Sequence, residues 1–237
     1  MKAREFRHAA LDALRGKWTV AVIAGFIASL CGATYSGGAN LTYNFDLDSF
    51  EGFESLPEGI GHSINTNFLA AFLTAAGVFA LVYGVIMFIL GSVVGVGYSE
   101  FNLDLVDGNK PRIASLFAHF GQIKTAICAN LLIALYIFVG FIFFVIPGII
   151  AMYKYSMVNY IIAENPGITA REALDRSKEL MRGNKWRFFC LALSFIGWDL
   201  LSVITFGIAS FWVNPYRQAA FALFYREISD ESICLSW

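Results

Sequence analysis

Residues 125–163 read TAICANLLIALYIFVGFIFFVIPGIIAMYKYSMVNYIIA, and this stretch decides the architecture. It holds 39 residues, and the first 29 of them, Thr125–Tyr153, carry no formal charge. A helix that crosses a bilayer needs about 20 mostly apolar residues. The stretch is therefore too long for one crossing and the right length for two. A break stands at Ile146-Pro147-Gly148. Proline lacks a backbone donor and glycine tolerates turn geometry. The expectation is two spans of about 18–22 residues joined by an outer Pro-Gly turn.

The rest of the chain is consistent with that reading. Of its 237 residues 57% are hydrophobic and 15% charged, against about 25% charged in soluble domains. So few charges cannot cover the surface of a soluble domain of this size. Gly59–Ser99 has no formal charge apart from His62. The net charge of −1 excludes a bulk basic surface for nucleic acid. Lys2, Arg4, Arg7, Arg15 and Lys17 precede an apolar run, Trp18–Tyr35, that is longer than a signal-peptide core and ends without an A-x-A site. It reads as a retained first span.

Charge sidedness sets the expected topology. Short cytoplasmic loops collect Lys and Arg. They cluster in residues 1–17, then at Lys110, Arg112 and Lys124, then at Arg171, Arg176, Lys178, Arg182, Lys185 and Arg187. Residues 36–67 carry none, and hold Asp46, Asp48, Glu51, Glu54 and Glu58, so this acidic loop is expected outside. Trp18–Tyr35 then goes out and Phe68–Tyr98 returns. Residues 125–163 make a second pair. Phe188–Tyr225, with a break near Phe206-Gly207, makes a third. The result is an all-α membrane protein of six transmembrane helices, both termini cytoplasmic.

The pairs share a register. A cytoplasmic amphipathic segment ends in Gly16, Gly121 or Gly183; Lys17, Lys124 or Lys185 follows; Tyr98, Tyr155 or Tyr216 closes the hairpin. Lys124 to Tyr155 and Lys185 to Tyr216 are both 31 residues, and Lys17 to Tyr98 is 81, an insertion of 50. The expected organisation is a single membrane domain of three repeats, 1–108, 109–165 and 166–228, with a tail at 229–237. Thr169-Ala170-Arg171-Glu172 has the form of a capping box, followed by an apolar face through Ala170, Ala173, Leu174, Ser177, Leu180 and Met181, with Gly183 as C-cap. Pro111 opens a second amphipathic helix, and residues 2–15 align Phe6, Ala10, Ala13 and Leu14 on a third. Such helices suit the headgroup layer, with Trp18 and Trp186 as interfacial anchors.

Ionisable groups inside apolar segments are costly and usually pair or face water, at about 2.5–3.5 kcal/mol or more on insertion scales. Lys154, Asp199 and Arg217 are such groups. Asp199 is expected to pair with Arg217 or with Lys154, either as a structural ion pair or as part of a transport or ligand site. Asn130, Asn159 and Asn214 read as interhelical hydrogen-bonding groups. Gly91-Ser92-Val93-Val94-Gly95 is a GxxxG, a weak sign of homo-oligomerisation.

Nothing points to catalysis. His8, His62 and His119 are scattered, and no HExxH, GxSxG or Walker loop occurs. Cys31, Cys128, Cys190 and Cys234 form no CxxC, so neither zinc nor a disulfide framework is expected. Asp46, Asp48 and Glu51 lack EF-hand spacing, and Asn40-Leu41-Thr42 is a glycosylation sequon only in a eukaryotic secretory setting. The expectation is a protein without cofactor or metal.

Several stretches together resemble the DUF975 family of uncharacterised bacterial integral membrane proteins, found largely in Gram-positive bacteria. They are Tyr98 through Gly108 with Pro111 and Leu116-Phe117; Ile146-Pro147-Gly148-Ile149-Ile150 with Tyr155-Ser156-Met157; Asn165-Pro166; Ala173-Leu174 through Ser177-Lys178, Met181 and Gly183-Asn184-Lys185; and Leu193 through Trp198 onward to Pro215-Tyr216. The chain is more distantly similar to the membrane domain beside some glycerophosphodiester phosphodiesterases, without their catalytic domain. The resemblance implies a multi-pass plasma-membrane protein and carries no functional residues. The functions left open are a non-enzymatic module that binds a partner protein, lipid or membrane-active peptide, and a small-molecule or ion transporter or channel that uses the intramembrane charges.

Overall fold

Long apolar runs free of proline and glycine clusters favour helix, because a helix satisfies its own backbone groups. The computed structural model describes residues 2–31, 33, 66–143 and 145–235. All its regular elements there are helical, and three helices are long and apolar enough to cross a membrane: Thr74–Val106, Ile123–Ile142 and Lys185–Ile204. The acidic loop, its Asp46, Asp48 and Glu51, His62 and the Asn40 sequon lie outside the described residues.

The chain divides into two units, Leu41–Phe88 and Met1–Asn40 with Ile89–Trp237. The first holds the N-terminal part of helix α3 (Thr66–Val106). Its Val78, Phe79, Leu81 and Val82 are exposed, as a lipid-facing helix requires, and Phe79 stacks on Tyr83.

The second unit contains α1 (Ala3–Leu14), α2 (Trp18–Leu30), the remainder of α3, a 3₁₀ helix Ile113–Gln122, α4 (Ile123–Phe143), α5 (Val145–Lys154), α6 (Val158–Glu164), α7 (Ala170–Leu180), α8 (Lys185–Leu193), α9 (Ile196–Ile204) and α10 (Ser210–Leu235). Helices α4 and α5 pack closely side by side: a Cβ on Gly140 would lie 2.9 Å from the Gly148 Cα, and Tyr136 stacks on Tyr155 with ring centroids 5.4 Å apart. α9 and α10 pair in the same manner, with Phe195 and Trp198 edge-on to Tyr216. The turn between them falls where the sequence places it. Phe206 and Gly207 both take left-handed backbone conformations, φ 52° and 85°. Glycine adopts that region without a Cβ penalty, so Gly207 makes the reversal possible.

The outer turn at residues 146–148 is a correction. α4 ends at Phe143 and α5 begins at Val145, so Pro147 and Gly148 lie in the first turn of the returning helix. Proline is tolerated there because first-turn N–H groups have no helical partner.

The amphipathic segments also differ from expectation. α1 meets α2 at a 104° bend, with Gly16 at φ 77°. Its Phe6, Ala10 and Leu14 face is buried, and Phe6 packs 5.5 Å from Phe224 of α10. α7 buries Ala173, Leu174, Ser177 and Leu180, and packs on α4 and α6. Both helices therefore spend their apolar faces on the bundle rather than on headgroups. The middle segment is a 3₁₀ helix that runs straight into α4, so Gly121 is not a stop like Gly16 or Gly183. It buries Leu116 against α3 and leaves Phe117 exposed. Trp18 is half-buried and Trp186 is exposed, so the two do not share an environment.

Gly91 and Gly95 are buried within this unit. The GxxxG therefore takes part in packing within this unit.

Candidate functional site

Two of the charges that stand within apolar segments meet. Arg217 of α10 donates from Nη1 to Asp199 Oδ1 of α9 at 3.0 Å, and from Nη2 to Asn214 Oδ1 at 2.9 Å. Asn214 precedes Arg217 by three positions on one helix, so it aims the guanidinium and does not bridge helices. The Arg217 side chain is 10% exposed and that of Asp199 is 36% exposed. Lys154 stands elsewhere. Its ammonium lies 5.0 Å from the Tyr155 ring centroid, a cation–π contact, and its carbonyl accepts from Ser177 Oγ at 3.0 Å. Asn130 and Asn159 sit on other helices, half-buried and buried.

Tyr98, Tyr155 and Tyr216 are all buried, but their surroundings differ. Tyr98 stacks on Phe101, Tyr155 on Tyr136, and Tyr216 meets Phe195 and Trp198. One polar link nearby went unread in the sequence: the buried Tyr160 hydroxyl donates to Gln218 Oε1 at 3.2 Å.

A second unread feature concerns two interrupted helices. α5 stops at Lys154 and α6 resumes at Val158; α8 stops at Leu193 and α9 resumes at Ile196. An interruption frees carbonyls, and in lipid each must find a donor. The amphipathic helices supply them. Ser177 of α7 donates to the Lys154 carbonyl, and Arg7 of α1 donates to the Ser194 carbonyl at 3.1 Å.

The third cluster ties helix ends. Arg226 of α10 pairs with Asp107, just past α3, through Nε at 3.0 Å and through Nη2. Its Nη1 also pairs with Glu164 at the end of α6, which accepts from the Tyr225 hydroxyl. Arg187 of α8 pairs with Glu227 and packs over Phe224. Burial pulls the Arg226 guanidinium down, but the two carboxylates outweigh it and hold the group above its ordinary value. Removing Arg226 leaves two carboxylates facing one another. Arg226→Ala is expected to lower the thermal midpoint in detergent by several degrees, and Arg226→Lys to recover only part, since an ammonium lacks the two-pronged geometry. Equal midpoints for Ala and wild type would show that this knot carries no stability.

A helical protein with membrane-length apolar helices and an internally paired polar interior is the class these observations define. Residues 135–232 match the family described as "Protein of unknown function (DUF975)", and over that stretch the chain is similar to it. The Tyr98–Gly108 and Leu116-Phe117 parts of the resemblance fall outside the match. No curated protein and no solved structure matches the chain.

Proposed function

We propose that the chain is a non-enzymatic integral membrane module of the bacterial plasma membrane, which binds a partner protein, lipid or membrane-active peptide. The proposed topology is six crossings in three repeated hairpins, with both termini cytoplasmic. The antiparallel packing of α4 on α5 and of α9 on α10 supports the second and third hairpins. The observation that carries the functional reading is the pairing of Asp199, Arg217 and Asn214 with one another. A transporter keeps such charges available to substrate; here Arg217 is spent on its neighbours within a core filled by Phe6, Phe101, Phe188, Phe195, Phe221 and Phe224. Purified protein in sealed liposomes is the test. Flux of protons, monovalent cations and small anions is expected to equal that of protein-free vesicles, with Asp199→Asn indistinguishable from wild type. Flux above background that Asp199→Asn abolishes would favour the transporter reading instead.

A further inference from the structure

Residues 125–163 carry a single formal charge, Lys154 at the C-terminal end of α5. The side chain is half-buried, and its ammonium rests 5.0 Å from the centroid of the Tyr155 ring. Among the described residues no carboxylate or carbonyl accepts from it. The ring attracts the charge but is a weak acceptor, so the ammonium still has donors to fill. A cation within an apolar segment is costly until an anion or water meets it.

The surroundings select the kind of anion. Tyr155 stacks on Tyr136 of α4, which is exposed. Beside Tyr136, the exposed Leu135, Phe138 and Ile142 form an apolar strip at helical spacing along α4. On α5, Ile150 is exposed one turn before Lys154 and on the same face. On the other side stands α7. Its Ser177 hydroxyl donates to the Lys154 carbonyl, and its exposed Asp175 and Lys178 act on the Tyr155 hydroxyl with opposite signs. Those two charges offset one another, and the charge of Lys154 is left over. A free anion would have no use for the apolar strip. A phospholipid uses both, with its phosphate on the cation and its acyl chains on the strip.

We propose that Lys154 holds the phosphate of an anionic phospholipid whose acyl chains lie along Ile150, Leu135, Phe138 and Ile142. The inference rests on the membrane-binding reading above and deepens it by naming the ligand class and its anchor.

The experiment uses the full-length protein in detergent, with native mass spectrometry as the readout and phosphatidylglycerol and phosphatidylcholine of identical chains as probes. Wild type is expected to bind phosphatidylglycerol roughly five- to tenfold more tightly, and Lys154→Met to remove that preference. Lys154→Arg keeps the charge and is expected to keep the preference. Asp175→Asn, on the exposed face of α7, is expected to strengthen it, and this variant decides the matter if Lys154→Met does not fold. Equal binding of the two lipids by wild type overturns the proposal. So does a preference that survives in Lys154→Met, or one that Asp175→Asn leaves unchanged. Displacement of bound phosphatidylglycerol by millimolar inorganic phosphate also overturns it, because the cation would then serve a free anion. Retention in carbonate-washed membranes is scored alongside. A protein that washes off fails the membrane reading, whereas one that is retained without lipid preference fails only this inference.

Discussion

Replacing Arg217 with leucine is expected to cost about 3 kcal/mol of stability and to lower the yield of monodisperse protein after detergent extraction. Removing one partner of a buried ion pair typically costs about 3–5 kcal/mol, because the survivor keeps its charge without compensation. The lower end applies here, since the Asp199 side chain is partly exposed. The loss also frees Asn214, which accepts from the same guanidinium. The informative control is the double change Asp199→Leu with Arg217→Leu. It leaves no orphan charge, so it should recover most of the lost stability. A double variant as unstable as Arg217→Leu alone would mean that the arginine matters through packing instead. Thermal unfolding in one detergent, followed by size-exclusion chromatography, makes the comparison.

The second large effect is steric. A Cβ on Gly97 would sit 2.4 Å from the carbonyl oxygen of Leu116 and 2.6 Å from that of Ser115. Both obstacles are backbone atoms of the 3₁₀ helix, so no side-chain rotation relieves them. Gly97→Val must push that helix away from α3 and expose Leu116, which is fully buried. Overpacking costs about 1–3 kcal/mol when a core can yield, and a backbone clash belongs at or above the top of that range. Gly84→Ala is the matched control, because nothing lies within 4 Å of its added Cβ and alanine favours helix by about 1 kcal/mol. If Gly97→Val melts like Gly84→Ala, the close approach of the 3₁₀ helix to α3 is not present in solution.

Much of this fold was legible in the sequence because apolar length and turn chemistry act locally. The reversal at Phe206-Gly207 was readable from two residues. The meeting of Asp199 with Arg217 was readable as one of two alternatives, since few charges stand within apolar segments. What stayed hidden depends on distance in the chain. Arg226 meets Asp107 across 119 residues and Glu164 across 62, and no periodicity encodes such partners. The 3₁₀ geometry of Ile113–Gln122 was missed because its apolar spacing also fits an α-helix. Pro147 was misplaced because proline marks both a turn and a helix first turn. The amphipathic faces of α1 and α7 are legible and their partners in the bundle are not, since a sequence shows that a face is apolar and not what covers it.

The bond from Arg7 to the Ser194 carbonyl spans 187 residues of chain. Helix α1 is thereby a clasp on the interruption between α8 and α9. Loss of α1 would take away the donor to that carbonyl, so a change in residues 3–14 would be felt at residues 193–196.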